Sequence, residues 1–230
     1  MMAVSESSGR SAANEDGSWK RDVAIVAGPL LLGVAALLVF LVGPAISGRD
    51  APAKFDTFYS DGGSKLMLVA EPLALVGMFA FLWLVGRVSV SVATRDENGS
   101  HAAVAFAGGI AFAILAGASL VVQTTVAGTG AFSSSFQAEP NTAMLFSHLG
   151  YVLMAGAMIG AATMAFATVG ALQTTGHRGL VNATYVVGVL GLFALLFVYL
   201  PLVLFLIWSG VVAHRLAESS PLHLDPKLPL

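Results

Sequence analysis

The sequence has no cysteine, few charges and no basic excess. Only 10% of the 230 residues are charged and the formal net charge is −2, whereas a soluble domain carries about 25% charged residues. The missing cysteines exclude disulfides, iron–sulfur ligation and thiol nucleophiles, and the balanced charge gives no field for nucleic acid. Nucleophile-elbow, P-loop, HExxH and dinucleotide fingerprints are also missing, so we predict no metal and no cofactor.

The chain is instead rich in long apolar blocks. It is 57% hydrophobic, with a mean hydropathy of +0.83. Blocks of about 20 apolar residues match a hydrocarbon core of about 30 Å. We therefore predict an all-α, polytopic transmembrane helical bundle over residues 22–218, with the lipid bilayer as its first partner. The blocks fall at about 22–46, 66–90, 102–127, 143–171 and 181–214.

The last block decides between five and six spans. As one helix, 181–214 would be about 50 Å long, too long for one span without strong tilt. Tyr199-Leu200-Pro201 interrupts it, because proline disfavours helix in the residue before it. Splitting the block into 178–197 and 202–219 gives six spans with a cytoplasmic N-terminus. This topology puts eight of the eleven Lys and Arg residues on the cytoplasmic side, whereas the five-span alternative puts six there.

Both ends of the chain are predicted to lie outside the bundle. Residues 1–21 are polar and rich in Ser, Gly and Ala, which predicts a disordered cytoplasmic tail. Residues 219–230 hold three prolines, which predicts an extended tail.

Glu71 is an acidic residue inside a predicted span, which makes it a candidate functional group. Counting residues from the span ends puts Glu71, Gln123 and His148 at a similar depth below the outer surface, with Tyr151 nearby. One interpretation is an outward-opening pocket in which Glu71 and His148 exchange a proton or hold a small polar ligand. The other is a hydrogen-bonded cluster that only pins three helices together.

Small residues mark two spans as helix-packing surfaces. Gly156 and Gly160 form a GxxxG motif, and Gly109, Ala113 and Gly117 recur every four residues along one helix face. Small residues let helix backbones approach closely, within the bundle or against a partner chain.

Several motifs carry a resemblance to a known group of proteins. They are FYSDGG at 58–63, FLWLVG at 81–86, FAGG at 106–109 and LIWSG at 206–210. With them, the chain resembles uncharacterised multi-pass integral membrane proteins of actinobacteria. The resemblance implies about six spans and brings no known activity.

Three functions are compatible with these patterns. The first is a non-enzymatic accessory or partner-binding subunit, associated with other membrane proteins or with itself, since loops are short and catalytic motifs are missing. The second is a small proton-coupled transporter or carrier that uses a pocket around Glu71. The third is a quinone-reactive redox membrane subunit.

Overall fold

The structure is a computed structural model that describes residues 26–40, 53–54, 57–58, 64–96, 99–132 and 139–218. The predicted tails, 1–21 and 219–230, lie outside the described residues. All regular structure in the described ranges is helical, which confirms the all-α prediction. The longer helices are α1 (Val26–Phe40), α2 (Ser64–Ala93), α3 (Ser100–Phe132), α4 (Pro140–Gln173), α5 (Arg178–Leu192) and α6 (Tyr199–Glu218).

The helices have two very different lengths. Helices α2, α3 and α4 contain 30, 33 and 34 residues, or about 45, 50 and 51 Å at 1.5 Å per residue. Helices α5 and α6 contain only 15 and 20 residues. Four helices of the described chain, α2, α3, α4 and α6, are long and apolar enough to cross a bilayer. The protein is therefore a membrane-embedded helical bundle, and its number of crossings stays a prediction.

The last apolar block is divided into two helices. Helix α5 ends at Leu192 and α6 begins at Tyr199, with turns and irregular backbone over 193–198. Pro201 lies in the first turn of α6, where its missing N–H would have no intrahelical partner in any case. The interruption thus precedes the Tyr199-Leu200-Pro201 segment that marks it in the sequence.

A cluster of aromatic rings joins α2, α3 and α6. Phe81, Phe112 and Phe205 are fully buried, with ring centroids 5.0 Å apart for Phe81–Phe112 and 4.6 Å apart for Phe112–Phe205. Trp208 stacks on Phe205 at 5.5 Å, and its indole N–H donates to Thr184 Oγ1 of α5 at 2.8 Å. Because the indole N–H has a partner, Trp208 can be buried and can tie α5 to the core.

One end of the bundle is fixed by Arg95, which follows α2. Its guanidinium donates to the carbonyl of Ser91 in α2 at 2.6 Å and to the carbonyl of Leu216 in α6 at 3.3 Å. Burial lowers the pKa of Arg95. A cation that contacts the carboxyl ends of two helices also interacts favourably with both helix dipoles. Arg95 therefore holds the ends of α2 and α6 at the same level.

Candidate functional site

Gln123 belongs to a buried hydrogen-bonded network between α3 and α4. Its amide donates to the carbonyl and to the hydroxyl of Ser119, at 3.3 and 3.1 Å. The Ser119 hydroxyl in turn donates to the carbonyl of Gly150 at 2.6 Å. Gly150 leaves room for this arrangement, since a β-carbon there would overlap the side chain of Gln123. The network joins two helices, as interhelical polar contacts in membranes do.

Glu71 lies against a different part of α3. Its side chain is partly exposed, and Oε2 lies 3.7 Å from the position that a β-carbon would take at Gly128. Pro72 lies next to it inside α2 and removes the N–H that would otherwise bond the carbonyl of Leu68. Within the described part of the chain, no hydrogen bond or ion pair involves the carboxylate of Glu71.

His148 and Tyr151 make contacts of their own. His148 is exposed, and its Nδ1 lies 3.2 Å from the carbonyl of Met144, one turn earlier in α4. The hydroxyl of Tyr151 donates to the carbonyl of Leu195, in the turn between α5 and α6, at 3.2 Å. His148 thus bonds within α4, while Tyr151 ties α4 to the last helical hairpin.

The four polar candidates are therefore held by different neighbours. Among the described residues, no hydrogen bond joins Glu71 to Gln123 or to His148. The described chain also contains no group of three His, Asp or Glu residues placed to hold a metal ion. The geometry supports a hydrogen-bonded tie between α3 and α4 around Gln123, and it leaves Glu71 as a separate carboxylate.

The helix-packing candidates lie at two interfaces. A β-carbon at Gly160 would lie 2.7 Å from the carbonyl oxygen of Gly108, so α3 and α4 cross in backbone contact. Gly109 and Gly117 face α2, where β-carbons would meet Val85 and the sulfur of Met78 at 2.5 Å. Ala113, between them, is fully buried. Gly156 lies in looser contact, since a β-carbon there would lie 3.6 Å from Leu115.

Sequence reasoning missed several close approaches, and two of them are crossings of helix backbones. Gly108 forms the α3 side of the crossing with Gly160, and Gly28 and Gly77 form a second crossing between α1 and α2. A β-carbon at Gly28 would lie 2.6 Å from the backbone nitrogen of Phe81, and one at Gly77 would lie 2.8 Å from that of Leu32. No motif marks these glycines in the sequence, since Gly28 and Gly77 are single glycines in apolar helices and Gly108 is followed four residues later by Phe112.

A groove runs between α1 and α6. It has a volume of about 600 Å³ and is lined by six residues of α1, from Val26 to Leu37, and six of α6, from Val203 to His214. A further cavity of about 230 Å³ continues it as far as Phe40 and Tyr199. Gly33 and Gly210 line it, and a β-carbon at Gly210 would meet no heavy atom of the described residues within 4 Å. None of the four polar candidates lines either cavity.

Comparison with known proteins finds no relative of this chain. No family model matches it, and no curated protein and no solved structure matches it either. The class of the protein, a membrane-embedded helical bundle, thus rests on its sequence and its fold.

Proposed function

We propose that the protein is a non-enzymatic subunit of the bacterial plasma membrane that binds another membrane protein through the groove between α1 and α6. The open groove is the observation that carries this proposal. Its lining is apolar apart from His214, and its glycines let a helix backbone come close. Small residues of this kind are typical of helix–helix contacts in membranes, where packing rather than water exclusion drives association.

The proposal includes a topology and a family. We propose six membrane-embedded helices with both termini in the cytoplasm. Arg87, Arg95, Arg178 and Arg215 then lie near the cytoplasmic ends of their helices, as the positive-inside rule requires. The resemblance to uncharacterised actinobacterial membrane proteins is part of the same proposal.

A proton-coupled carrier and a quinone-reactive subunit receive less support. A carrier would need a cavity beside Glu71, and the two cavities described above lie along α1 and α6 instead. A redox subunit would need side chains that hold a cofactor or bind a quinone, and no observation on the described residues assigns such a role to His148, whose Nδ1 contacts the carbonyl of Met144. The interior around Phe81, Phe112 and Phe205 is closely packed.

Purification from native membranes in mild detergent tests the proposal. We expect the full-length protein to bring down one membrane protein in constant stoichiometry. Gly210→Ile should abolish this association, because its side chain would fill the groove. Gly170→Ile is the matched control, since Gly170 is exposed on α4 and a β-carbon there also meets no atom within 4 Å. A wild-type protein that purifies alone, or equal loss in both variants, would contradict the proposal.

A further inference from the structure

The surplus length of α2, α3 and α4 lies at one end of the bundle. At the end that contains Arg95 the helices finish together, because Arg95 bonds the carbonyls of Ser91 and Leu216 and short connections join α2 to α3 and α4 to α5. Helix α6, with 20 residues, is about 30 Å long, and the three long helices exceed it by about 15 to 20 Å. That surplus must therefore lie at the opposite end.

Contacts between helices also show how far α3 and α4 extend beyond the turn between α5 and α6. Tyr151 of α4 bonds Leu195 in the α5–α6 turn, and α4 begins at Pro140, about 16 Å beyond that level. Gln123 of α3 contacts Gly150, next to Tyr151, and α3 continues to Phe132, about 13 Å further.

Helix α2 follows the same pattern. Its Phe81 packs beside Phe205 of α6, with ring centroids 6.0 Å apart, and the two helices run parallel because Arg95 also contacts Leu216. The first residue of α6, six before Phe205, is therefore level with residue 75 of α2. Helix α2 begins at Ser64, about 16 Å beyond that level.

We place the inner edge of a bilayer core of about 30 Å at the ends of α2 and α6 beside Arg95, so that its outer edge lies near the α5–α6 turn. Arg87, about two turns before Arg95 in α2, then extends its long side chain to the inner headgroups. The surplus segments are 64–75, 123–132 and 140–151. They contain the exposed Lys65, the partly exposed Glu71 and the exposed His148. A carboxylate with no ion pair or hydrogen bond within the described chain is strongly disfavoured in hydrocarbon but is hydrated at a membrane surface.

We propose that the segments 64–75, 123–132 and 140–151 form a three-helix projection outside the hydrocarbon core, on the side opposite to Arg95. Glu71 and His148 then contact water or lipid headgroups, beside exposed apolar residues of the same segments such as Val69 and Leu145. Glu71 needs no buried partner in this arrangement. The inference concerns placement in the bilayer and does not rest on the proposed binding of a partner.

Cysteine labelling tests this placement directly, because the chain has no cysteine of its own. Two apolar, exposed residues of α4 make a matched pair. They are Leu145, 67% exposed in the projection, and Ile159, 55% exposed and eight residues past Tyr151. Leu145→Cys and Ile159→Cys would each be introduced into the full chain and reconstituted in nanodiscs. Both membrane faces are then open to a charged maleimide, so the orientation of the protein does not affect the result.

We expect Leu145→Cys to react at least about tenfold faster than Ile159→Cys, because a charged reagent is excluded from hydrocarbon. Equal, slow labelling would show that lipid covers the projection and would overturn the inference. Equal, fast labelling would show that α4 does not lie in lipid and would overturn it as well. Thr129→Cys, at an exposed position of α3, replaces Leu145→Cys if that variant does not fold, with the same expected result.

Discussion

Two glycine-containing surfaces of this bundle differ in what lies against them. At the crossing of α3 and α4, Gly108 and Gly160 bring two backbones into contact, with a β-carbon at either position within 3 Å of the other helix. Between α1 and α6, Gly33 and Gly210 face a groove, and the nearest atom to a β-carbon at Gly33 is a methyl of Leu206 at 3.6 Å. Among the described residues, the first surface is filled by another helix of the same chain, and the second is left open.

The difference arises from how α1 is held. Gly28 and Gly77 bring α1 and α2 into backbone contact, whereas α1 meets α6 through side chains such as Phe40 and Tyr199, whose ring centroids are 4.4 Å apart. Helix α1 therefore packs closely on α2 and leaves a gap beside α6. Small residues permit a close approach, but the rest of the bundle decides which of them receive a helix.

The largest expected effect on stability comes from a substitution at the crossing of α3 and α4. Gly160→Ile would force its side chain into the carbonyl of Gly108 and the backbone nitrogen of Phe112, each 2.7 Å from the β-carbon. Backbone cannot move aside as a flexible side chain does, so we expect a loss of about 3 kcal/mol or more, or no folded protein. Thermal unfolding in detergent, followed by circular dichroism, measures the loss. Unchanged stability would show that α3 and α4 are not in backbone contact.

A smaller effect is expected where α6 faces the interior. Trp208→Phe removes the hydrogen bond to Thr184 and should cost about 1 kcal/mol. The neighbouring Ile207 is 62% exposed and lines the groove, so Ile207→Ala should change the free energy of unfolding by less than about 0.5 kcal/mol. If Ile207→Ala cost as much as Trp208→Phe in the purified protein, α6 would not have one filled and one open face.

A substitution of Arg95 should change the stability by a similar or smaller amount. Arg95→Met removes the donors to Ser91 and Leu216, and we expect a loss of about 1 kcal/mol. Arg95→Lys keeps the charge beside the helix ends and should recover part of this loss. Burial lowers the pKa of Arg95, but a guanidinium stays charged at neutral pH, so the loss should be the same at pH 6 and pH 8. Equal stability of the wild type and Arg95→Met would contradict the capping role.

The smallest effect on stability is expected at the open surface. Gly210→Ile adds a side chain where no heavy atom lies within 4 Å of the β-carbon, so the free energy of unfolding of the isolated protein should change by less than about 0.5 kcal/mol. Thermal unfolding of Gly210→Ile, compared with that of Gly170→Ile, checks this expectation. A large loss in Gly210→Ile alone would mean that the groove is closed in the isolated protein.

Much of the fold could be predicted from the sequence, because long apolar blocks have few alternatives to helix in a bilayer. The length of the last apolar block also predicts that the block is interrupted. The interruption falls at 193–198 and not at Tyr199-Leu200-Pro201. The polar site was harder to predict. Counting residues gives the height of Glu71, Gln123 and His148 along the bundle, but not the direction in which each side chain points.

The same limit applies to the glycines. Gly108 and Gly109 are adjacent, so they lie about 100° apart around α3, and the structure turns Gly108 to α4 and Gly109 to α2. The spacing of Gly109, Ala113 and Gly117 predicts a shared face and does not identify the helix that covers it. Rotation about the helix axis is set by packing with neighbours that are distant in sequence.

Photocrosslinking in native membranes tests the central claim most directly. A benzophenone side chain would replace Ile207, in the groove, or Ile114, which is 55% exposed on α3 and does not line it. We predict that position 207 forms one discrete adduct with another membrane protein and that position 114 forms none. Crosslinks to lipid alone at both positions would contradict the account, because the groove would then be an ordinary lipid-facing surface.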